Sequence, residues 1–210
     1  MTQATRLAIV ETARSLFSRG LTHGSTGNIS ARSGDLILVT PTGSSLGTVQ
    51  PEGLSVIDLD GQHVDGPAPS KEAFLHAAML RARPQAGAVI HTHSTYSAAV
   101  SCLIPDDPDD ILPPLTAYFV MRIGRLPLLP YHAPGDDTLG AAAEAAARSS
   151  AALMLSNHGP IVAANTLGVA MDAIEELEQT ARLHLTLRGM NVRHLAPAEV
   201  ADLNSRYGRP

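Results

Sequence analysis

The stretch Pro84–Ser97, PQAGAVIHTHSTYS, decides how this chain folds. Its apolar run Ala88–Ile90 is short, contains β-branched residues and is bounded by glycine and serine, so it predicts a buried strand. Side chains two residues apart on a strand lie on one face, so His91 and His93 are expected to point the same way. Neutral imidazole binds zinc and similar ions at about 2.0–2.1 Å. Two histidines also meet at strand ends by chance, so the pair needs support from the rest of the chain.

Helical and extended patterns alternate on both sides of this stretch. Apolar residues at helical spacing predict helices over 5–19, 70–83 with Ser70 as the N-cap, 95–103, 137–150 apart from Gly140, 167–188, and a short tail helix from Pro197. Short apolar runs predict strands over 28–32, 36–39, 56–59, 62–64, 126–130, 153–155 and 161–163, most of them paired as hairpins. Residues 104–115 are rich in Pro and Asp and are expected to be irregular.

The mixture of hairpins and helices, with few β-α-β signals, favours an α/β protein of the α+β type. In such a fold, helices cover a central, largely antiparallel sheet. No internal repeat, low-complexity tract or linker interrupts the sequence, so residues 1–210 are expected to form a single domain.

The composition is that of an ordinary globular protein, with 210 residues of which 44% are hydrophobic and 17% charged. The net charge is −5 and no run of Lys or Arg occurs, which argues against nucleic acid or a membrane surface as partners. The single cysteine, Cys102, excludes an internal disulfide framework and suits a reducing cytoplasm. Residues 1–20 carry charges where a signal peptide has its apolar core, and no segment approaches a membrane span.

His158 is the best candidate for a third metal ligand. Catalytic zinc sites use three protein ligands and leave one position open. His158 lies between two apolar strands and precedes Gly159, where the backbone can turn tightly, although a solvated loop histidine is the common alternative. His63, His76 and His132 are expected to be structural or exposed. His184, on a predicted helix, and His194, near the tail, are not expected to bind the metal.

Glu72 is the candidate carboxylate. It lies in the first turn of the helix predicted after Ser70, where the helix dipole favours an acid, so a simple end-of-helix charge is one interpretation. The functional interpretation is a general base, or a metal ligand in the absence of substrate.

Small polar residues at three junctions between loops and elements predict an anion site. They are Asn28, Thr42-Gly43-Ser44 and Ser70-Lys71. Backbone N–H groups at a helix start, together with hydroxyls and one Lys, make a cradle for a phosphate, although each residue alone would be read as a turn or cap. No P-loop or GxGxxG motif is present, so a nucleotide is not implied.

Five short motifs in order carry a resemblance to a known family. They are Gly27-Asn28-Ile29-Ser30, Thr40-Pro41-Thr42-Gly43, Pro69-Ser70-Lys71-Glu72, His91-Thr92-His93-Ser94 and Asn157-His158-Gly159. With these motifs the chain resembles the class II aldolase/epimerase family, which includes fuculose-phosphate aldolase, rhamnulose-phosphate aldolase and ribulose-phosphate 4-epimerase. The resemblance extends from the first helix to the helix that contains Glu175–Glu178.

The resemblance implies a three-layer α/β/α fold and a fourfold-symmetric homotetramer with shared active sites. It implies a Zn2+ cofactor, or another divalent metal, held by His91, His93 and His158. Glu72 would be the acid/base and would touch the metal when substrate is absent. The residues implied to surround the substrate phosphate are Asn28, Thr42, Gly43, Ser70 and Lys71. Tyr118 matches a family tyrosine that donates a proton and reaches a neighbouring subunit's site.

One departure points to a branch of the family. Sugar-phosphate aldolases and epimerases generally show Ser-Ser before the glutamate, whereas this chain has Ser70-Lys71. With Pro105-Asp106-Asp107 and the proline-containing stretches 112–116 and 128–131, this is similar to the 3-oxo-tetronate 4-phosphate decarboxylases, which act on a phosphorylated sugar acid. Loss of CO2 would give dihydroxyacetone phosphate through a zinc-stabilised enediolate.

Two alternatives stay open at this stage. Aldol cleavage makes the same enediolate, so a class II sugar-phosphate aldolase or a ribulose-phosphate 4-epimerase is the first alternative. A non-catalytic module, as in cytoskeletal proteins of this fold, is a remoter one. Such modules lack the metal ligands, whereas all three histidines and Glu72 are present here.

Overall fold

Seven α-helices and eight strands alternate along residues 2–207, the part of the chain that the computed structural model describes. The helices are α1 Gln3–Ser18, α2 Ala73–Ala82, α3 Thr95–Ser101, α4 Ala117–Arg122, α5 Thr138–Ala147, α6 Leu167–Thr186 and α7 Pro197–Tyr207. The strands are β1 Asn28–Ser33, β2 Leu36–Val39, β3 Ser55–Asp58, β4 His63–Asp65, β5 Ala88–His91, β6 Leu128–Leu129, β7 Ala152–Leu155 and β8 Gly159–Ala164. Within these residues, no helix combines the length and the apolar character that a membrane crossing requires.

The eight strands form one sheet in the order β4-β3-β2-β1-β5-β8-β7-β6. All neighbours are antiparallel except β6 and β7, which are parallel. The predicted histidine strand, β5, lies near the middle of the sheet between β1 and β8. The mostly antiparallel sheet expected from the sequence is therefore confirmed, and β5 has a hydrogen-bonded partner on each side.

Side chains alternate between the two faces of the sheet and divide the interior into two hydrophobic cores. One core, which includes Ile90 of β5, packs against α1, α3, α4 and α6. The other, which includes Val89, packs against α2 and α5. The alternation follows from the two-residue period of a strand. The result is a helical layer on each side of the sheet, which confirms the predicted three-layer α/β/α fold.

Helix α2 begins later than the sequence predicts, and the assignment of Ser70 as its N-cap is wrong. Glu72 holds the N-cap position. The segment before it pairs with the segment after β2, through a bridge between Pro41 and Pro69 and a hydrogen bond from the Ser70 N–H to the Thr40 carbonyl at 3.2 Å. This pairing keeps the backbone extended up to Ser70, and the helix can begin only after it.

Two further differences have local causes. Helix α4 was not predicted, because six residues are too few for a periodic pattern; its start is capped by Thr116, whose hydroxyl accepts from the Phe119 N–H at 3.1 Å. Gly140 lies inside α5 rather than interrupting it. A Cβ at Gly140 would approach the Phe74 ring to 3.2 Å, so glycine there lets α5 pack closely on α2.

Candidate active site

Three histidines converge where β5 ends and the β7–β8 turn lies. His91 is the last residue of β5, and His93 lies beyond it, so the expectation that both sit on the strand is wrong for His93. His158 lies in the turn before β8, and its N–H donates to the Ser101 hydroxyl at 3.0 Å. Asn157, which precedes it, has a φ of 55°, a left-handed conformation that Asn tolerates better than most residues. The turn therefore aims His158 back toward the end of β5.

The ligand atoms of these histidines and of Glu72 all lie within 4.8 Å of one another. The Nε2 atom of His93 is 3.0 Å from that of His91 and 2.9 Å from that of His158. The Glu72 carboxylate approaches two of the rings, with Oε2 at 3.4 Å from His91 Nε2 and Oε1 at 3.2 Å from His158 Nε2. We call these four residues the histidine cluster.

The donor set fits a divalent metal such as zinc. The Nδ1 atom of His91 lies 2.8 Å from the Pro160 carbonyl oxygen, which can only accept, so Nδ1 carries the proton and Nε2 presents a lone pair to the cluster. Two ligands of a tetrahedral zinc at about 2.0–2.1 Å stand about 3.3 Å apart. The Nε2 atom of His93 lies at similar distances, 3.0 and 2.9 Å, from those of His91 and His158.

Burial keeps the imidazoles in the form that binds a metal. Burial, followed by the nearby His91 and His158, lowers the pKa of His93 to about 3. Burial and His91 lower the pKa of His158 to about 4. Both rings are therefore neutral at neutral pH, as metal ligands must be.

Glu72 is ionised despite being only 8% exposed. Burial raises the pKa of its carboxyl, but His91, the hydrogen bond from Asn28, and the other two histidines together lower that pKa below the ordinary value of 4.5. The Asn28 amide Nδ2 donates to Glu72 Oε2 at 2.9 Å. The carboxylate at the start of α2 is thus held beside the histidines as an acceptor.

A buried hydrogen-bonded chain continues from Glu72 through Asn28 to His76 and Ser30. His76 Nε2 lies 2.5 Å from Asn28 Oδ1, and its Nδ1 lies 2.7 Å from the Ser30 hydroxyl. Burial, followed by His91, lowers the pKa of His76 to about 3, so the ring is neutral. From the sequence, His76 is expected to be structural or exposed, and this link is not predicted. The available signal is its spacing of four residues from Glu72, about one helical turn after the N-cap of α2.

Four of the five residues predicted to surround the phosphate lie on two paired segments that precede Glu72 in the chain. Thr42 N–H donates to the Ala68 carbonyl at 3.0 Å, which brings Thr42 and Gly43 beside the segment that contains Ser70 and Lys71. Lys71 is the only lysine of the chain. It is exposed, and within residues 2–207 it forms no ion pair. The structure thus gathers these four residues on one surface, while Asn28 lies deeper with its amide on Glu72 and His76.

Tyr118 is not brought to the histidine cluster within one chain. It lies on α4 and is 59% exposed. Its described contact is with Arg122, whose guanidinium carbon is 5.5 Å from the centre of the phenol ring. The side chain is therefore free to meet another molecule.

Other histidines lie away from the cluster. His63 bonds to backbone carbonyls of β4 and the following turn, and His132 lies beside Asp136. His184 and His194 line a separate cavity of about 710 Å³. None of the residues that line this cavity belongs to the histidine cluster.

The chain is similar to known proteins over nearly its whole length. Residues 7–185 match the model of the family described as Class II Aldolase and Adducin N-terminal domain. A 3-oxo-tetronate 4-phosphate decarboxylase of Haemophilus influenzae is 44% identical over 199 residues, which are 94% of this chain and 95% of the relative. An L-fuculose phosphate aldolase of Methanocaldococcus jannaschii is 35% identical over 84% of this chain and 93% of the relative. The crystal structure of YgbL from Klebsiella pneumoniae matches with a TM-score of 0.93 at 42% identity, covering 97% of this chain and 99% of that one.

Proposed function

Because this chain belongs to the Class II Aldolase and Adducin N-terminal domain family, we propose that it is a metal-dependent lyase that decarboxylates 3-oxo-tetronate 4-phosphate. The family resemblance predicted from five short motifs is thereby confirmed. The main support for decarboxylation is the 44% identity to a 3-oxo-tetronate 4-phosphate decarboxylase over 94% of this chain. A sugar-phosphate aldolase is the second candidate, favoured by the 35% identity to an L-fuculose phosphate aldolase, which is lower and covers less of the chain.

We propose that His91, His93 and His158 hold a divalent metal, with zinc the best match to three nitrogen donors. When bound, the metal would supply a positive charge that stabilises negative charge on the substrate oxygens. Support comes from the convergence of three Nε2 atoms and from the neutral state of the His93 and His158 rings. Glu72 would complete the ligand set in the absence of substrate.

The reaction requires one bond to break and one proton to be delivered. The bond between the carboxyl carbon and the neighbouring carbon breaks, CO2 leaves, and the electron pair enters the adjacent carbonyl to give an enediolate. The carbon that carried the carboxyl group then takes a proton, and the product is dihydroxyacetone phosphate. Glu72 is ionised, so it begins the cycle as a base or ligand and then carries a proton to or from the enediolate. The phenol of Tyr118 is the proposed proton donor, either directly or by resupplying Glu72.

The proposed phosphate site consists of Thr42, Gly43, Ser70 and Lys71, with Asn28 at its inner edge. The exposed ammonium of Lys71 supplies a cation, and the hydroxyls and backbone N–H groups supply short donors. A Cβ built on Gly43 would meet nothing within 4 Å, so the space in front of this loop is open to a ligand. Asn28 keeps one amide hydrogen beyond the one that it gives to Glu72, which is the hydrogen it could offer to the phosphate.

We also propose a homotetramer in which Tyr118 serves a neighbouring subunit. The exposure of Tyr118 on α4 supports this, because a residue that acts in another copy must be free of its own chain. The molar mass from light scattering tests the assembly, and a fully active monomer would contradict it. A cytoplasmic location stays a prediction from the single cysteine.

Product analysis with the zinc-loaded protein tests the reaction. The protein is incubated with 3-oxo-tetronate 4-phosphate and, separately, with ketose phosphates. We expect release of CO2 and formation of dihydroxyacetone phosphate from the keto acid only. An aldehyde product from a ketose phosphate would identify an aldolase, and an inverted stereocentre without cleavage would identify an epimerase. Protein that binds no metal and turns over none of these compounds would point to a non-catalytic module.

A further inference from the structure

We propose that His76 is a positioning residue, which acts through Asn28 to hold the Glu72 carboxylate in one orientation at the histidine cluster. The inference rests on the proposed function, because that function gives Glu72 the task of moving a proton. The two described hydrogen-bond partners of His76 are Ser30 and Asn28, and neither belongs to the histidine cluster. Asn28 is therefore the hydrogen-bonded link between His76 and Glu72.

The direction of each hydrogen bond follows from the orientation of the Asn28 amide. Its Nδ2 donates to Oε2 of Glu72 at 2.9 Å. The amide oxygen Oδ1 then faces His76 and accepts from Nε2–H at 2.5 Å. In the neutral ring Nδ1 carries no proton, and it accepts from the Ser30 hydroxyl at 2.7 Å. The Nε2–H tautomer of His76 satisfies all three contacts together.

Glu72 needs an external partner because its own helix does not hold it. A carboxylate at an N-cap ordinarily bonds to the free N–H groups of the first helical turn. The Glu72 side chain makes no such bond. Its Oε2 atom is held instead by Asn28, at a point 3.4 Å from His91 Nε2. The direction of the Asn28 amide therefore decides where the carboxylate lies.

His76 fixes that direction. The two ends of an amide differ little in shape, so an Asn28 without a donor opposite Oδ1 could turn over and present that oxygen to the carboxylate. The Nε2–H of His76 makes the turned state unfavourable, because it would then face the Asn28 NH2 group. The side chains of His76 and Ser30 are fully buried, so water does not substitute for either contact. A buried donor chain of this kind rigidifies the group at its end.

The tautomer can be measured directly. In the full-length zinc-loaded protein, which is diamagnetic, 15N spectra of the histidine side chains show which ring nitrogen carries the proton. We expect His76 to be neutral and protonated at Nε2 from about pH 6 to about pH 8, since its pKa lies well below this range. A proton on Nδ1, or a mixture of both tautomers, would overturn the inference whatever the activity of the enzyme.

Two variants at position 76, which differ in whether they keep a hydrogen-bond donor to Asn28, test the effect of this contact on turnover. His76→Gln places an amide N–H near the former Nε2 and keeps the donor to Asn28, whereas His76→Asn places an amide oxygen near the former Nδ1 and loses it. For His76→Asn we expect kcat to fall about 10²-fold while KM stays within about twofold of the wild type, as for a misplaced catalytic group. For His76→Gln we expect kcat to stay within about tenfold of the wild type. Equal losses in both variants, or a wild-type kcat in His76→Asn, would show a packing role only.

The outcomes distinguish this inference from the proposed function. If the wild-type protein releases no CO2 but His76 carries its proton on Nε2, the decarboxylase proposal fails and the orientation of Asn28 stands. If CO2 is released and the tautomer is the other one, the reverse holds. Should His76→Asn fail to fold, the tautomer of the wild-type protein still decides the question.

Discussion

The Oε1 atom of Glu72 lies 3.2 Å from the Nε2 atom of His158, so the start of a helix meets the turn of a distant hairpin. A carboxylate and an imidazole at this distance can share a cation. Each of the two side chains can also be replaced separately by mutation. The histidine can be tested by metal content and the carboxylate by turnover, and the two tests are independent.

His158→Ala is expected to lose the metal while the fold remains. The ring is only partly buried, and catalytic metals usually contribute less to folding than structural ones. Metal content after dialysis, measured by mass spectrometry, and the far-UV circular dichroism spectrum check this. His184→Ala is the matched control, because His184 lines a separate cavity. Full metal occupancy in His158→Ala would contradict the ligand assignment.

Glu72→Gln is expected to keep the metal and to lose about 10²–10⁴-fold in kcat, the usual effect of removing a general acid/base. Glutamine retains the size of the side chain but cannot carry the proton. The informative readout is exchange of the product's C–H proton with solvent deuterium, which needs the enediolate but not the loss of CO2. Glu144→Gln, which changes a carboxylate in a half-buried ion pair with Arg81 away from the histidine cluster, is the control. Wild-type exchange in Glu72→Gln would reassign Glu72 to metal binding or structure.

Lys71→Ala is expected to raise KM for the phosphorylated substrate and to change the rate with an unphosphorylated analogue far less. The ammonium interacts with the phosphate charge, which the analogue lacks. Lys71→Arg, which keeps the charge, should lie closer to the wild type. Equal losses on both substrates would remove Lys71 from the phosphate site.

The single lysine permits a second test of the same site. An amine-reactive reagent can modify only Lys71 and the N-terminal amine of this chain. Inorganic phosphate or substrate should slow modification of Lys71, as measured by mass spectrometry of peptides, and leave the N-terminal amine unprotected. Modification at the same rate with and without these ligands would contradict the assignment.

Acidification is expected to destabilise the protein through His76. The pKa of this residue is about 3 in the folded state and near 6.5 when the ring is in water. Between these two values the unfolded chain binds a proton that the folded chain does not. The free energy of unfolding therefore falls as the pH falls from about 6.5 toward 3. Above that range the His76 ring is neutral in both states and does not affect the free energy of unfolding. The expected contribution is about 1.4 kcal/mol for each pH unit.

Denaturant unfolding of the metal-free wild type and His76→Gln at several pH values measures this slope. The other histidines are common to both proteins, so the difference in slope isolates His76. We expect a shallower dependence on pH in His76→Gln, and parallel curves would show that His76 takes up its proton in the folded state.

Gly159→Ala is expected to destabilise the protein by about 1–3 kcal/mol, the usual cost of overpacking, and to weaken metal binding. A Cβ at this position would fall well inside contact distance of the Thr92 carbonyl oxygen, so β8 would have to move away and carry His158 with it. The melting temperature and the metal affinity check both effects. Gly168→Ala is the control: it lies in α6 with no atom within 4 Å of the added Cβ, and alanine there should be neutral or stabilising by up to about 1 kcal/mol.

The sequence by itself determined the strands, most helices and the family. A run such as Ala88–Ile90 and the Asn157–Gly159 turn carry their structure in local patterns of apolar and turn residues, which physical rules convert directly into elements. The strands β7 and β8 and the turn that holds His158 were predicted for this reason and are confirmed. The three histidines and Glu72 were chosen for a metal site from spacing and family motifs together, and their role in binding one stays a prediction.

Only the tertiary structure decided which groups touch. The start of α2 depends on pairing of the Ser70 segment with the residues after β2. The role of Asn28, on β1, depends on contacts with Glu72 and His76, which lie 44 and 48 residues further along the chain. Local periodicity says which face of an element a side chain occupies, but a hydrogen bond between distant segments needs their register and packing. His76 shows the difference most plainly, because a histidine in the middle of a helix has the same local pattern whether or not its ring meets an asparagine on the neighbouring strand.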